Sequence, residues 1–193
     1  MLTKAKAPIA RLHMDEPFAS ESLALAMTGA FQQTSLVVVC VGTDRSTGDS
    51  LGPLIGSRLM ADPRSNITVY GTLDEPVHAL NLDQYVNQIK KDHPNSTTLA
   101  IDACLGRSEN VGFISLKEGP LKPGTGVNKT LPNIGDYHLV GIVNVGGLME
   151  YFVLQNTRLS LVMKMSDVIY EGIKLSFQEW KTRPSRVGES AIP

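Results

Sequence analysis

The sequence predicts an α/β fold: a three-layer α/β/α sandwich built on a mainly parallel sheet. Two apolar runs carry this expectation, "LVVVCV" at Leu36–Val41 and "TTLAIDAC" at Thr97–Cys104. Neither shows the polar alternation of a half-exposed strand, which is how strands buried on both faces read. The third observation is that helical apolar spacing separates the runs, and strands alternating with helices select parallel pairing. No repeat, low-complexity stretch or linker divides the 193 residues. One domain over 1–193 is therefore expected, long enough to bury a sizeable core.

The elements follow in chain order. Residues 1–14 are expected to form a flexible arm. Asp15 can cap a helix that has Pro17 in its first turn and carries Leu23, Leu25, Met27 and Phe31 toward Gln33. The Leu36–Val41 strand comes next, then a helix from about Gly48 to Met60. "ITVYG" at Ile67–Gly71 is a short strand, followed by a loop through Pro76. "LNLDQYVNQIKKD" is a helix whose apolar face holds Leu82, Tyr85, Val86 and Ile89. After the Thr97–Cys104 strand, "VGFISLKEG" alternates as a half-exposed strand does. "PLKPGTGVNKTLPNIGD" is a turn-rich loop, "HLVGIVNVGG" a further strand, and Leu159 to Trp180 a long helix. The tail at 181–193 is expected to be disordered.

Composition narrows the function. Lysines and arginines number 18 against 19 acidic residues, and no basic stripe suggests a nucleic-acid surface. No apolar run approaches the ~18 residues needed to span a bilayer, and the N-terminal stretch lacks the apolar core of a signal peptide. A cytoplasmic protein is expected. Cys40 and Cys104 lie in strand contexts and read as buried thiols.

Ligands of such folds bind beyond the carboxyl ends of the strands. Asp49 follows the first buried strand and Asp102 lies near the end of the second. "GTDRSTGDS" is no phosphate loop, because the spacing is a residue too long and Asp49 stands where a lysine should neutralise phosphate. "GDSLG" matches the serine-elbow pattern, with Ser50, Asp102 and His138 in hydrolase order. However, its serine comes several residues after the strand rather than at the turn. A third reading pairs Asp49 with Asp102. Two aspartates held close cannot both ionise cheaply, so one activates water while the protonated partner polarises a carbonyl or protonates a leaving nitrogen. The structural alternative has Asp49 capping its helix and Asp102 bonding a nearby loop. Thr43, Asp44 and Ser46 in the loop beside Asp49, and Lys129 in "PGTGVNK", are candidate substrate-binding residues. They could equally serve the backbone of their own loops.

"VCVGTDRSTGDSLGPLIG", "AIDACLGRS", "KPGTGVNK" and "HLVGIVNVGG" together resemble the germination protease superfamily of spore-forming bacteria, and more closely its shorter YyaC-type sporulation proteins. The likeness spans about Leu36 to Glu150. It implies a phosphorylase/hydrolase-like fold and an atypical aspartic endopeptidase, with catalytic Asp49 and Asp102 and no cofactor. It also implies a peptide or small spore protein as substrate, action in the forespore or sporulating cell, and, by analogy, homo-oligomers. The chain is much shorter than a germination protease, so a catalytically silent binding or regulatory protein of the same fold is the alternative. A more distant similarity to hydrogenase maturation endopeptidases would make Asp49, Asp102 and His138 a metal site, although His138 falls at the wrong end of its strand.

Overall fold

The computed structural model describes residues 7–31, 35–63, 67–123 and 131–182. Six strands form one sheet: β1 (Ala10–His13), β2 (Leu36–Cys40), β3 (Thr68–Tyr70), β4 (Thr97–Gly106), β5 (Phe113–Glu118) and β6 (Tyr137–Val145). Their order is β1-β5-β6-β4-β2-β3. The β6-β4-β2-β3 block is parallel, and β5 lies antiparallel between β6 and β1. The expected mainly parallel α/β/α sandwich is therefore what forms.

The outer layers are unequal. Helices α1 (Ala19–Ala30), α2 (Leu51–Ala61) and α5 (Leu159–Thr182) cover one face, while α3 (Leu82–Asp92) lies on the other. The first face buries Val38, Cys40, Leu99, Ile101, Ile114 and Leu139 beneath Leu23, Ile55 and Ile169. The second packs Val37, Val39 and Ala100 against Leu82, Val86 and Ile89. All five β2 residues are buried, as expected for a strand with side chains in both cores.

Two expectations at the N-terminus are corrected. Residues 10–13 are not a free arm: they form β1, registered on β5 from Ala10↔Leu116 to His13↔Phe113. The first helix begins at Ala19 rather than at Asp15, after Phe18 in a left-handed conformation (φ 60°). Asp15 is used elsewhere, in an ion pair with Lys164 of α5, and Glu16 accepts the His13 backbone N–H at 2.8 Å. That helix ends at Ala30, and Gln33 lies outside the described residues. At the other end α5 continues to Thr182, so the first two residues of the expected tail are helical; the others lie outside the described residues.

The approach of α2 to the sheet matters most for the site. A Cβ on Gly52 would run into the Val41 carbonyl oxygen, and one on Gly56 into the Gly71 carbonyl oxygen. Glycine at i and i+4 clears one side of the helix. The helix backbone thus lies directly on the carboxyl end of β2, which fixes where the preceding turn, and Asp49 with it, sits.

Candidate active site

Strand β4 outruns its neighbour. β2 registers on it only as far as Cys40↔Ile101, after which Val41 N–H donates to Ile101 O at 2.8 Å and bridges Val77. Asp102, the next β4 residue, keeps a strand partner on one side only, Val140 of β6. The 42–50 loop occupies the other side. It leaves β2 through Gly42 (φ 148°) and is closed by Gly42 N–H to Val77 O (2.8 Å), Thr43 N–H to Asp49 O (3.2 Å) and Ser50 N–H to Ser46 O (3.0 Å). Its end, the 3-10 turn Gly48–Ser50, packs on β4 and carries Asp49.

Both acids resist ionisation. Burial pushes the Asp102 carboxyl up to about 8; the Ala103 N–H opposes this, and the Asp49 charge adds to it. As a residue Asp102 is half-buried, and its carboxyl is enclosed by protein. Burial also raises Asp49, and the Ser46 hydroxyl favours its charged form. That hydroxyl is buried and makes no hydrogen bond of ordinary geometry, so it acts on Asp49 by proximity. The influence runs one way because Asp49 ionises beside a still-neutral Asp102. Sharing a region of low dielectric thus separates an earlier acid from a later one.

Asp49 does not cap its helix: neither the 3-10 turn nor α2 has a side-chain cap. Ser50 is buried and donates its hydroxyl to Thr47 O at 2.7 Å, ten residues beyond the end of β2, so no serine elbow forms. Thr43 and Asp44 stand at the rim, where the Thr43 hydroxyl accepts Arg45 N–H at 3.3 Å and approaches the Asp44 carboxylate at 3.4 Å. Lys129 lies outside the described residues.

His138 does not join the aspartates. It pairs with Ala100, one pleat repeat before Asp102, and its Nδ1 meets Gly119 O at 2.7 Å. Among the described residues no three His, Cys, Asp or Glu side chains are grouped to hold a metal ion, so the Asp49–Asp102–His138 triad is not assembled.

The sequence reading missed α4 (Glu150–Gln155), which forms a wall of this region. It packs on the 3-10 turn, where a Cβ on Gly48 would meet a Leu154 side-chain carbon at 2.7 Å and the Thr157 hydroxyl at 3.1 Å. Asn144 of β6 ties it down by donating to Val153 O (3.3 Å) and Thr157 Oγ1 (3.2 Å). The signal was a Gly146-Gly147 turn followed by a short run of helix-compatible residues.

The sheet order and the acid-bearing edge define a protein of the hydrogenase-maturation-protease fold. The [NiFe] hydrogenase maturation protease HycI from Thermococcus kodakarensis KOD1 superposes with a TM-score of 0.51 at 14% identity, covering 77% of this chain and 98% of HycI. Residues 11–172 match the family model "Protein of unknown function (DUF1256)", and the chain belongs to that family. It is similar to "Uncharacterized protein YyaC" of Bacillus subtilis (strain 168), 57% identical over 147 residues, or 76% of this chain and 72% of that protein. The YyaC-type assignment read from the motifs holds.

Proposed function

We propose that the protein is a metal-independent peptidase in which Asp49 and Asp102 hydrolyse peptide bonds of a peptide or small spore protein during sporulation or germination. The observation that carries this reading is the placement of Asp102 one residue past the last β2 pairing, where the turn that carries Asp49 packs on β4; burial and the Asp49 charge there favour its protonated form. Asp49, the acid that ionises first, takes a proton from water. Asp102 donates its own to the carbonyl oxygen or departing nitrogen, and the pair exchanges roles as the products leave. The motif resemblance to the germination proteases supports the same two residues and a cytoplasmic site of action in the sporulating cell.

Incubation with small acid-soluble spore proteins and a peptide library, comparing wild type with Asp49→Asn, tests the reading. Cleavage should survive chelator and fluorophosphonate and fall at least ~100-fold in the variant. Cleavage lost to chelator would oppose it, and so would an Asp49→Asn protein that cuts as well as wild type. A second reading, a silent binding protein of the same fold, is favoured by one observation: a groove of about 570 Å³ lined by Val145, Met149, Phe152 and Asn156, residues other than the two aspartates. Binding of spore proteins with no cleavage would select it.

Ser46→Ala gives a finer expectation. The hydroxyl favours charged Asp49, so its loss raises the Asp49 pKa and moves the low-pH limb of cleavage to higher pH. Ser46→Thr should restore the limb. An unmoved limb in the alanine variant would remove Ser46 from the site.

A further inference from the structure

The groove of about 570 Å³ begins where β6 leaves the sheet and follows α4. A register shift builds its floor. Cys104 pairs with Ile142 but Leu105 with Asn144, so β6 carries one extra residue. Without that bulge Asn144 would share the face of Val140, which packs on the second core. With it the Asn144 amide reaches α4, donating to Val153 O at 3.3 Å and accepting Val145 N–H at 2.8 Å. Leu154 in turn seats α4 on the first core and against Gly48, beside Asp49. The groove and the acid-bearing turn therefore share one helix as a wall.

The lining states what it can bind. All nine lining residues lie within the described segments, and none is charged. Between Asn144 and Asn156 the sequence has a single charge, Glu150, which is not part of the lining. The polar side chains are spent locally, Asn144 as above and Asn156 by donating to Phe152 O at 2.8 Å. Val145, Leu148, Met149 and Phe152 are exposed, a concentration of apolar surface that marks a contact site. Met149 lines it from a left-handed backbone (φ 60°), which methionine seldom adopts. Nine residues fall short of the ~20–30 a side that a stable protein interface engages, so the groove suits side chains of a peptide rather than a second copy. Its distance from the acids is fixed by register. Leu105, opposite Asn144, stands three residues beyond Asp102 on β4, or ~10 Å along the strand.

We propose that this groove is a side-chain subsite: an extended peptide crosses the carboxyl edge of the sheet and seats one large apolar side chain, of leucine or phenylalanine size, between Val145, Met149 and Phe152, about three residues from the bond that faces the aspartates. The inference deepens the peptidase reading and rests on it for that offset, but occupation of the groove can be measured without cleavage.

The test uses full-length protein carrying Asp102→Asn, fluorescence anisotropy and methionine-methyl NMR. The probes are a fluorescein-labelled octapeptide of glycine, serine and alanine with a single leucine, and its twin with alanine in that place. The leucine peptide should bind at least ~10-fold tighter, and high salt should leave the preference intact, since no charge supports it. The Met149 methyl signal, assigned by its loss in Met149→Leu, should move with the leucine peptide and stay still with the twin. Phe152→Ser should erase the preference and Phe152→Leu keep most of it. Met149→Gly relieves the left-handed backbone, so it should melt no lower than wild type and yet lose the preference, which separates binding from folding. Equal affinity for the twins, no binding of either, a silent Met149 methyl, or a preference that survives Phe152→Ser overturns the subsite. A Met149 signal that follows protein concentration and ignores peptide gives the groove to a second copy, and also overturns it. A leucine preference in a protein whose wild type never cuts sinks the peptidase reading and leaves the groove as a peptide site. Cleavage without preference does the reverse.

Discussion

If the protein is the proposed peptidase, replacing Asp102 by asparagine is expected to remove peptide hydrolysis and, at alkaline pH, to make the protein more stable. The expected activity loss follows from the proposed role: losing a positioned proton donor costs ~10²–10⁴-fold in rate. The stability gain follows from linkage. The folded carboxyl keeps its proton to about 8, whereas an unfolded aspartate releases it near ~4. Between those values the folded state binds more protons than the unfolded one, so stability declines as pH rises through this window and is flat above it. Asparagine, neutral throughout and nearly the same shape, abolishes that decline. Melting at pH 4 should match wild type, and at pH 8 the variant should melt higher, by roughly 2–4 °C for each kcal/mol of charge burial relieved. A variant that is inactive but less stable at both values would make Asp102 a structural acid. One that retains activity would leave the dyad without its donor.

Placing an alanine at Gly52 is expected to be the most damaging small change to the scaffold. The new Cβ meets the Val41 carbonyl oxygen, with the Val41 and Cys40 carbonyl carbons each at about 3.0–3.1 Å behind it. These are backbone atoms at the end of a fully buried strand, and they cannot swing aside as a side chain tip can. Overpacking of this kind costs ~1–3 kcal/mol, against the roughly 1 kcal/mol that glycine-to-alanine returns in a helix interior. With backbone on the other side of the clash the loss dominates. A net loss of about 2 kcal/mol lowers the midpoint by roughly 4–8 °C. Because α2 starts right after the turn that carries Asp49, the helix should shift outward and separate the acids, and any cleavage of the proposed kind should fall with stability. Gly29→Ala in α1 is the control: nothing lies within 4 Å of its Cβ, so the substitution should stabilise by up to ~1 kcal/mol. If Gly52→Ala melts no lower than wild type, the tight α2–β2 approach is not what holds the site.

The buried strands were legible because physics writes them strongly. The β2 run from Leu36 and the first half of β4 have apolar side chains on both faces, and no other element leaves that trace. β1 was illegible: "ARLH" offers four residues with one buried side chain, and its strand character comes from pairing with β5. The start of α1 was misplaced because Asp15, a sound cap by type, is drawn off by Lys164, 149 residues away in sequence. Such competition is tertiary and leaves no local mark. α4 was missed because a six-residue helix without a buried residue has no periodic stripe to betray it.

At the site the sequence marked both acids by their place after strands, but their relation depends on register. That Asp102 stands one residue past the last β2 pairing follows from pairings no local pattern encodes. His138 shows the same limit from the other side. Its residue type suits a metal, yet its row on the sheet is that of Ala100, and its ring is spent on Gly119.

The most direct measurement is the titration of the Asp102 carboxyl itself, followed by carbon-13 NMR in wild type and in Asp49→Asn. The paired-aspartate account predicts a midpoint far above that of an ordinary aspartate, displaced toward acid once the neighbouring charge is gone. A midpoint near ~4, or a raised one indifferent to Asp49, would contradict it: two acids that do not sense each other cannot divide the work of splitting a peptide bond.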